Sequence, residues 1–267
     1  MKNSIFFCEV DIMKFTALVE TDVGNTKKTN QDSSLIKIAT TPMGKDILLA
    51  VLCDGMGGLQ KGELASATAV RYFERWFYKE LPYQLKNLNW EGLSESWKRL
   101  IENLNTLILR YGEKNKITLG TTLTAFLSID DSYMIAHVGD SRAYRLHNDL
   151  KQLTEDHTYV AREVKRGNMT YQEAKRSPRR NVLLQCIGAS KRVVPELIFG
   201  KLQCGSNYLL CSDGFRNEIS PEEIFQHLKP GEGITREDSK SHLKHLINTA
   251  KERKERDNLT AILIKVE

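Results

Sequence analysis

The stretch Ala50 to Ser66, AVLCDGMGGLQKGELAS, constrains the fold of this chain more than any other part of it. An apolar run from Ile47 to Cys53 stops abruptly at Asp54-Gly55. Short β-branched and aliphatic runs bounded by glycine form buried strands. Gly55, Gly57, Gly58 and Gly62 follow, and Glu63 then opens a helical pattern. A carboxylate is thus expected at the end of a core strand, beside backbone that carries no Cβ. A rigid strand aims the carboxylate, and glycine permits φ values that turn a carbonyl toward the same point, an arrangement that suits a cation. Phosphate loops are excluded. Glu63 and Leu64 follow Gly62 where a Walker A loop needs Lys and Ser or Thr, and Gln60 stands where a dinucleotide fingerprint needs its last glycine.

The 267 residues suffice for one large domain or two small ones. The longest apolar run, Ile47 to Cys53, is far below the ~20 residues of a membrane-spanning helix, so no membrane association is expected. Glu9 and Asp11 interrupt the N-terminal apolar stretch, which therefore does not read as a secretory signal, and Met13 begins a segment resembling a natural start. Residues 1–12 read as an extension and residues 13–267 as one domain. Five cysteines, odd in number and without a C-x-x-C pair, point to reduced thiols and a cytoplasmic protein. A net charge of +5, spread through a mixed sequence, gives no concentrated basic face for nucleic acid.

Strands are expected at Phe15–Thr21, Ser33–Thr40, Ile47–Cys53, Thr121–Ile129, Tyr133–Val138, Arg142–His147, Lys151–Leu153, Pro195–Leu202, Tyr208–Ser212 and Leu259–Val266. Those from Thr121 onward, separated by Asp130-Asp131 and Gly139-Asp140, read as an antiparallel meander. Apolar spacing predicts a helix from Glu63 to Leu81, stopped by Pro82, and another from Glu91 to Tyr111, stopped by Gly112. Further helices are expected at Pro221–Leu228 and Arg236–Arg253, with helix and loop over Asp156–Arg180. Meanders with paired helices argue for an α+β layered domain rather than a doubly wound sheet.

Asp54 has counterparts. Asp213-Gly214 ends another strand, Gly139-Asp140 ends a third, and Asp257-Asn258 precedes the last. Converging carboxylates repel one another unless cations neutralise them, and an all-oxygen set suits Mg²⁺ or Mn²⁺ rather than Zn²⁺. Two such ions can share and activate a water for attack on phosphorus.

The motifs TDVGNTKKTNQDS, AVLCDGMGGLQKGELAS, GTTLTAFL, AHVGDSRAYRL, LTEDHTYV, LLCSDGF and DNLTAIL resemble, in order and spacing, those of the metal-dependent serine/threonine protein phosphatases of type 2C, the bacterial branch in particular. The resemblance covers residues 13–267. It implies a four-layer α-β-β-α sandwich, two antiparallel sheets flanked by helices, with a flap at about residues 156–188. It also implies hydrolysis of phosphoserine and phosphothreonine by a hydroxide bridging two Mn²⁺ or Mg²⁺ ions. Asp54 would bridge the two, the Gly55 carbonyl would bind the second, and Asp213 and Asp257 would complete the first. Asp140 would hold a third, weaker ion, Asp32 would orient the attacking water, and Lys27 would grip the substrate phosphate. Phosphoprotein substrates, an opposing Ser/Thr kinase and a monomeric state are implied with them.

This chain departs from the family pattern at three positions. Gln31 replaces a common Glu. Lys27 replaces an Arg and lacks its bidentate fork, which implies a weaker hold on phosphate. Met56 replaces a His proposed elsewhere as general acid. These departures raise the alternative of a metal-poor pseudophosphatase acting as a regulatory binding module; the retained Asp54, Asp140, Asp213 and Asp257 weigh against it. Residues 161–180 carry seven basic and two acidic side chains, which suggests attraction of anionic phosphoproteins. Cys186 to Arg192 matches a C-x₅-R pattern, but extended residues follow it where a helix is needed, so a buried thiol is expected. His242 and His245 are expected on a solvated helix face.

Overall fold

The computed structural model describes residues 15–42, 44–56 and 61–267. The expected extension at 1–12 lies outside the described residues, as do Met13, Gly57 and Gly58. One sheet has the order β1-β10-β9-β6-β7, from β1 (Phe15–Asp22), β6 (Arg142–Leu146), β7 (Leu150–Gln152), β9 (Ser206–Cys211) and β10 (Leu259–Val266). The other has the order β2-β3-β4-β5-β8, from β2 (Ser33–Thr40), β3 (Asp46–Cys53), β4 (Leu123–Ile129), β5 (Ser132–Val138) and β8 (Glu196–Lys201). Every strand pair is antiparallel.

Strand alternation builds the layers. Leu48, Ala50 and Leu52 of β3 meet Phe126, Ile135, Tyr208, Leu210, Ile262 and Ile264 between the sheets. Leu49, Val51 and Cys53 face the other way, onto Phe73 and Trp76 of α1 (Gly62–Lys79) and Trp97 and Ile101 of α3 (Trp90–Asn115). Both faces of β3 are therefore covered, which explains an apolar run without alternation. On the far side, Leu209 and Leu263 pack against Leu243 and Ile247 of a C-terminal helix. The result is the expected four-layer sandwich.

Three expectations are corrected. The first helix ends at Lys79, and Pro82 lies in the first turn of a separate short helix, α2 (Leu81–Gln84), where its missing N–H is not needed. The second helix runs past Gly112 to Asn115. Lys116, at φ 54°, reverses the chain, and the Ile117 N–H donates to the Gly112 carbonyl. The meander is also broken. β4 and β5 pair with each other, but β6 lies in the other sheet, paired with β7 and β9. The chain crosses between sheets at Gly139, whose φ of +114° and contact with Thr122 leave no room for a side chain.

The remaining elements are α4 (Tyr159–Lys165), α5 (Tyr171–Arg176), α6 (Asp213–Arg216), α7 (Pro221–Leu228) and α8 (Arg236–Glu252). Helix α6 was not expected, because one turn is too short to show periodicity. Thr158, Thr170, Ser220 and Thr235 cap α4, α5, α7 and α8 through side-chain oxygens that accept N–H bonds.

Phe126 is fully buried and touches the rings of Tyr133 and Tyr208, with centroids 5.2 and 5.3 Å away. Phe126→Ala is expected to destabilise the protein by about 3–5 kcal/mol in urea unfolding monitored by circular dichroism. A loss below about 1 kcal/mol would contradict this account of the inter-sheet core.

Candidate active site

The strand registers bring the predicted carboxylates to one end of the sandwich. Cys53 at the end of β3 pairs with Ser33 at the start of β2, so Asp54 and Asp32 are neighbours. Val138 at the end of β5 pairs with Leu123, and Asp140 follows at the crossing into β6. In the other sheet Arg142 pairs with Cys211, so Asp140 and Asp213 flank that pair. Asp22 at the end of β1 pairs with Leu259, just after Asp257. The five predicted aspartates, Asp32, Asp54, Asp140, Asp213 and Asp257, thus share one rim.

The backbone around them is pinned. The Asp54 N–H donates to the Thr122 hydroxyl at 3.0 Å. The Asp54 carbonyl accepts from the Thr122 N–H and the Thr121 hydroxyl, each at 2.9 Å. The Thr122 hydroxyl also meets the Ser141 hydroxyl at 2.9 Å, tying Asp54 to the residue after Asp140. Asn258 joins the two sheets. Its Oδ1 accepts from the Gln31 N–H at 2.8 Å, and its Nδ2 donates to the carbonyls of Val23 and Thr29. Asp32 is oriented by its own N–H, which donates to Asn30 Oδ1 at 3.0 Å. The Asp257 N–H donates to Glu255 Oε1 at 2.9 Å. Asn258, Asn30, Thr122 and Glu255 were missed as site residues. The asparagine beside Asp257 was visible in the sequence, but its span across the sheets was not.

Gly55 is required for a reason other than the expected one. Its φ is not in the left-handed region; instead a Cβ there would lie 2.5 Å from the carbonyl oxygens of both Gln31 and Gly62. The residue is needed for close approach. Gln31 uses its amide to donate to Glu63 Oε2 at 3.2 Å, a contact that a second carboxylate at position 31 would turn into repulsion. Met56 is held through its N–H, which donates to the Gly120 carbonyl.

The carboxylates strain one another electrostatically. Asp54 is pushed well above the usual carboxylate range, by burial first and then by the charges of Asp32, Asp213, Asp140 and Asp257. Asp32 is raised to about 7, mainly by burial, with Asp213 and Asp257 adding to it. The Ser212 and Thr260 hydroxyls nearby offset this only in part, each being engaged elsewhere, Thr260 with the Thr21 hydroxyl and Ser212 with the Thr260 carbonyl. Neither carboxylate oxygen of Asp32, nor Oδ1 of Asp213, has a hydrogen-bond partner among the described residues, although all three are shut off from solvent. Burial and Asp213 likewise raise Asp140 to about 7, against the opposing guanidinium of Arg216. Buried anions without partners call for cations, and an all-carboxylate set with a carbonyl fits hard divalent ions. Lys27 supplies one positive charge, its Nζ lying 3.0 Å from Asp257 Oδ1.

The other sequence candidates fall away from this rim. Cys186 is a buried thiol whose pKa burial pushes up, which leaves it unsuited to nucleophilic attack. His242 and His245 lie on α8 and face His227 of α7, with ring centroids 6.0 and 4.8 Å from that of His227. Among the described residues His137, His157 and Glu196 bring their ligand atoms within 4.8 Å of one another. His137 is a poor ligand there. Its Nε2–H donates to the Gly139 carbonyl and its Nδ1 meets the Thr124 hydroxyl, each at 3.0 Å.

The segment expected to form a flap, at about residues 156–188, begins at the rim. Its return segment pairs Ile187 with Thr121, which pairs with Gly55. Glu163 pairs with Arg162 and Arg166, and Glu155 pairs with Lys165. Lys175, Arg176, Arg179 and Arg180 are exposed and make no ion pair among the described residues. Arg179 lies 5.2 Å from the centre of the Tyr159 ring.

The profile of the family described as Protein phosphatase 2C matches residues 25–263. The serine/threonine phosphatase stp of Listeria innocua is 35% identical over 185 residues, covering 68% of this chain and 71% of the relative. The solved structure of the S. agalactiae serine/threonine phosphatase superposes with a TM-score of 0.81 at 31% identity, covering 96% of this chain and 100% of that one. The catalytic domain of the phosphatase PstP, solved in complex with 2 manganese ions, gives a TM-score of 0.73 at 26% identity, covering 95% of this chain and 99% of that one.

Raised carboxylates bind protons more tightly in the folded chain than in the unfolded one. Without metal, their contribution therefore falls as pH rises from 3.8 toward about 7. In EDTA, Asp54→Asn should melt above the wild type, by a margin that widens over this window, and added Mn²⁺ should reverse the order. A margin that does not vary with pH would contradict the mutual repulsion of these groups.

Proposed function

The chain belongs to the protein phosphatase 2C family, and from that premise we propose that it removes phosphate from phosphoserine and phosphothreonine in proteins, with Asp54, Asp213 and Asp257 holding two Mn²⁺ or Mg²⁺ ions. The observation that carries this reading is the convergence of five aspartates, among them buried carboxylate oxygens without partners. Bound there, the cations would supply Lewis acidity that activates a water and balances charge developing on the phosphoryl oxygens.

The protein's own groups take the other parts. Asp54, which feels the charges of the other four carboxylates, would contribute its carboxylate to both ions. The Gly55 carbonyl stands beside it, and Asp140 is the candidate for a third ion. Asp32, held by Asn30, would orient the attacking water. Lys27, at a rim where its side chain is 28% exposed, neutralises Asp257 in the present structure. With cations at Asp257, its ammonium would turn to the substrate phosphate as a point charge. Retention of the whole carboxylate set tells against a silent binding module. Asp54→Asn and Asp213→Asn should each lower kcat on a phosphothreonine peptide by more than about 100-fold while leaving circular dichroism unchanged. Near-normal turnover in either would refute these roles.

The unpaired flap cations suggest phosphoproteins with acidic flanks as substrates. An opposing Ser/Thr kinase, a monomeric state and a cytoplasmic location complete the proposal. Cys53, Cys186, Cys204 and Cys211 are free, in keeping with a reducing compartment. None of the described helices is long and apolar enough to cross a membrane. Replacing Arg176, Arg179 and Arg180 by Gln should raise KM for an acidic phosphopeptide roughly tenfold, more at low salt, with kcat and hydrolysis of a small aryl phosphate little changed. Equal effects on both substrates would remove the flap from substrate attraction.

A further inference from the structure

Asp156 opens the flap and lies outside the carboxylate cluster, yet it is among the most tightly held acidic groups of the protein. Arg142 grips it with a bidentate fork, Nε to Oδ1 and Nη2 to Oδ2, both at 2.7 Å. Arg216 approaches Oδ2 from the other side at 3.6 Å. The same Nη2 of Arg216 donates to the Asp140 backbone carbonyl at 2.8 Å. The three side chains are only 11–19% exposed.

Each partner comes from an element that carries a candidate cation ligand. Arg142 begins β6, two residues after Asp140. Arg216 ends α6, whose first residue is Asp213. Asp156 itself leads into α4 of the flap, and the next residue, His157, donates its N–H to the Gly139 carbonyl at 2.7 Å. One carboxylate therefore joins the sheet crossing, helix α6 and the flap base. Of these charges Asp140 feels the Arg216 guanidinium, opposed by Asp156. Without Asp156 the two buried cations would repel each other, and Arg216 would be driven off the Asp140 carbonyl.

We propose that Asp156 is a positioning residue that, through Arg216, fixes Asp140 for cation binding and ties the flap base to that site. This rests on the cation reading of the rim. Residues that orient metal ligands typically account for 10–100-fold in metal affinity. Asp156 ligates nothing in this scheme; it acts through Arg216 and the Gly139–Asp140 turn.

The test is calorimetric titration of Mn²⁺ into EDTA-stripped full-length protein, with thermal melts of the metal-free variants in parallel. Asp140→Asn identifies the binding step that belongs to Asp140. Asp156→Asn should weaken that same step by roughly tenfold or more while leaving the step of the Asp54 centre in place. Asp156→Glu, which keeps the anion between the arginines, should recover part of the loss. An Asp156→Asn isotherm that superimposes on the wild type, even with a lowered Tm, overturns the proposal and leaves Asp156 a stabilising residue only. If Asp156→Asn gives no cooperative melt, Arg216→Lys decides in its place. It keeps the charge but loses the planar guanidinium whose Nη2 reaches both Asp156 and Asp140, so the same weakening is expected and a wild-type isotherm overturns the idea. A wild-type protein that binds no Mn²⁺ overturns both the cation reading and this one, whereas loss confined to the variants separates them.

Discussion

Repulsion among the carboxylates at the rim is the constraint on which the rest of the structure depends. Asp32, Asp54, Asp140, Asp213 and Asp257 are brought together by strand ends from both sheets, and burial makes the like charges of Asp32, Asp54 and Asp140 expensive. Folding must hold them there against that repulsion. It does so by fixing backbone rather than by pairing the carboxylates. Thr121 and Thr122 clamp Asp54, Asn30 turns Asp32, Glu255 supports Asp257, and Asn258 spans the sheets. The positive charges nearby, Lys27 and Arg216, compensate only part of the excess. The protein phosphatase 2C fold in this chain is thus a rigid frame for an anionic rim.

The frame and the substrate side are mechanically continuous. The flap's return segment reaches Gly55 through Ile187 and Thr121, and its entry reaches Asp140 through Asp156 and Arg216. Both ends of the flap are therefore anchored beside the rim, while its unpaired cations lie between those anchors. The proposed substrate attraction and the proposed cation binding would share a boundary, although different residues would serve them.

Much of this was legible in the sequence because it is local. The run Ile47–Cys53 announced a strand covered on both faces, and Leu259–Val266 was read to its ends. The aspartates were visible as carboxylates beside Gly or Asn at strand boundaries. What escaped depends on distance in the chain. Gly139-Asp140 looks like any hairpin turn, and only the pairing of Arg142 with Cys211 shows that the chain has changed sheets there. Asp156, Arg142 and Arg216 come together across 14 and 60 positions with no periodic signal. Why position 55 must be glycine was not legible, because a close contact and a special φ leave the same glycine in the sequence.

The most direct test is phosphate release from a phosphothreonine peptide, measured with Mn²⁺ and then with excess EDTA. The account predicts release that requires Mn²⁺ and stops when EDTA removes it. Release that persists at the same rate in EDTA would contradict a function built on these carboxylates.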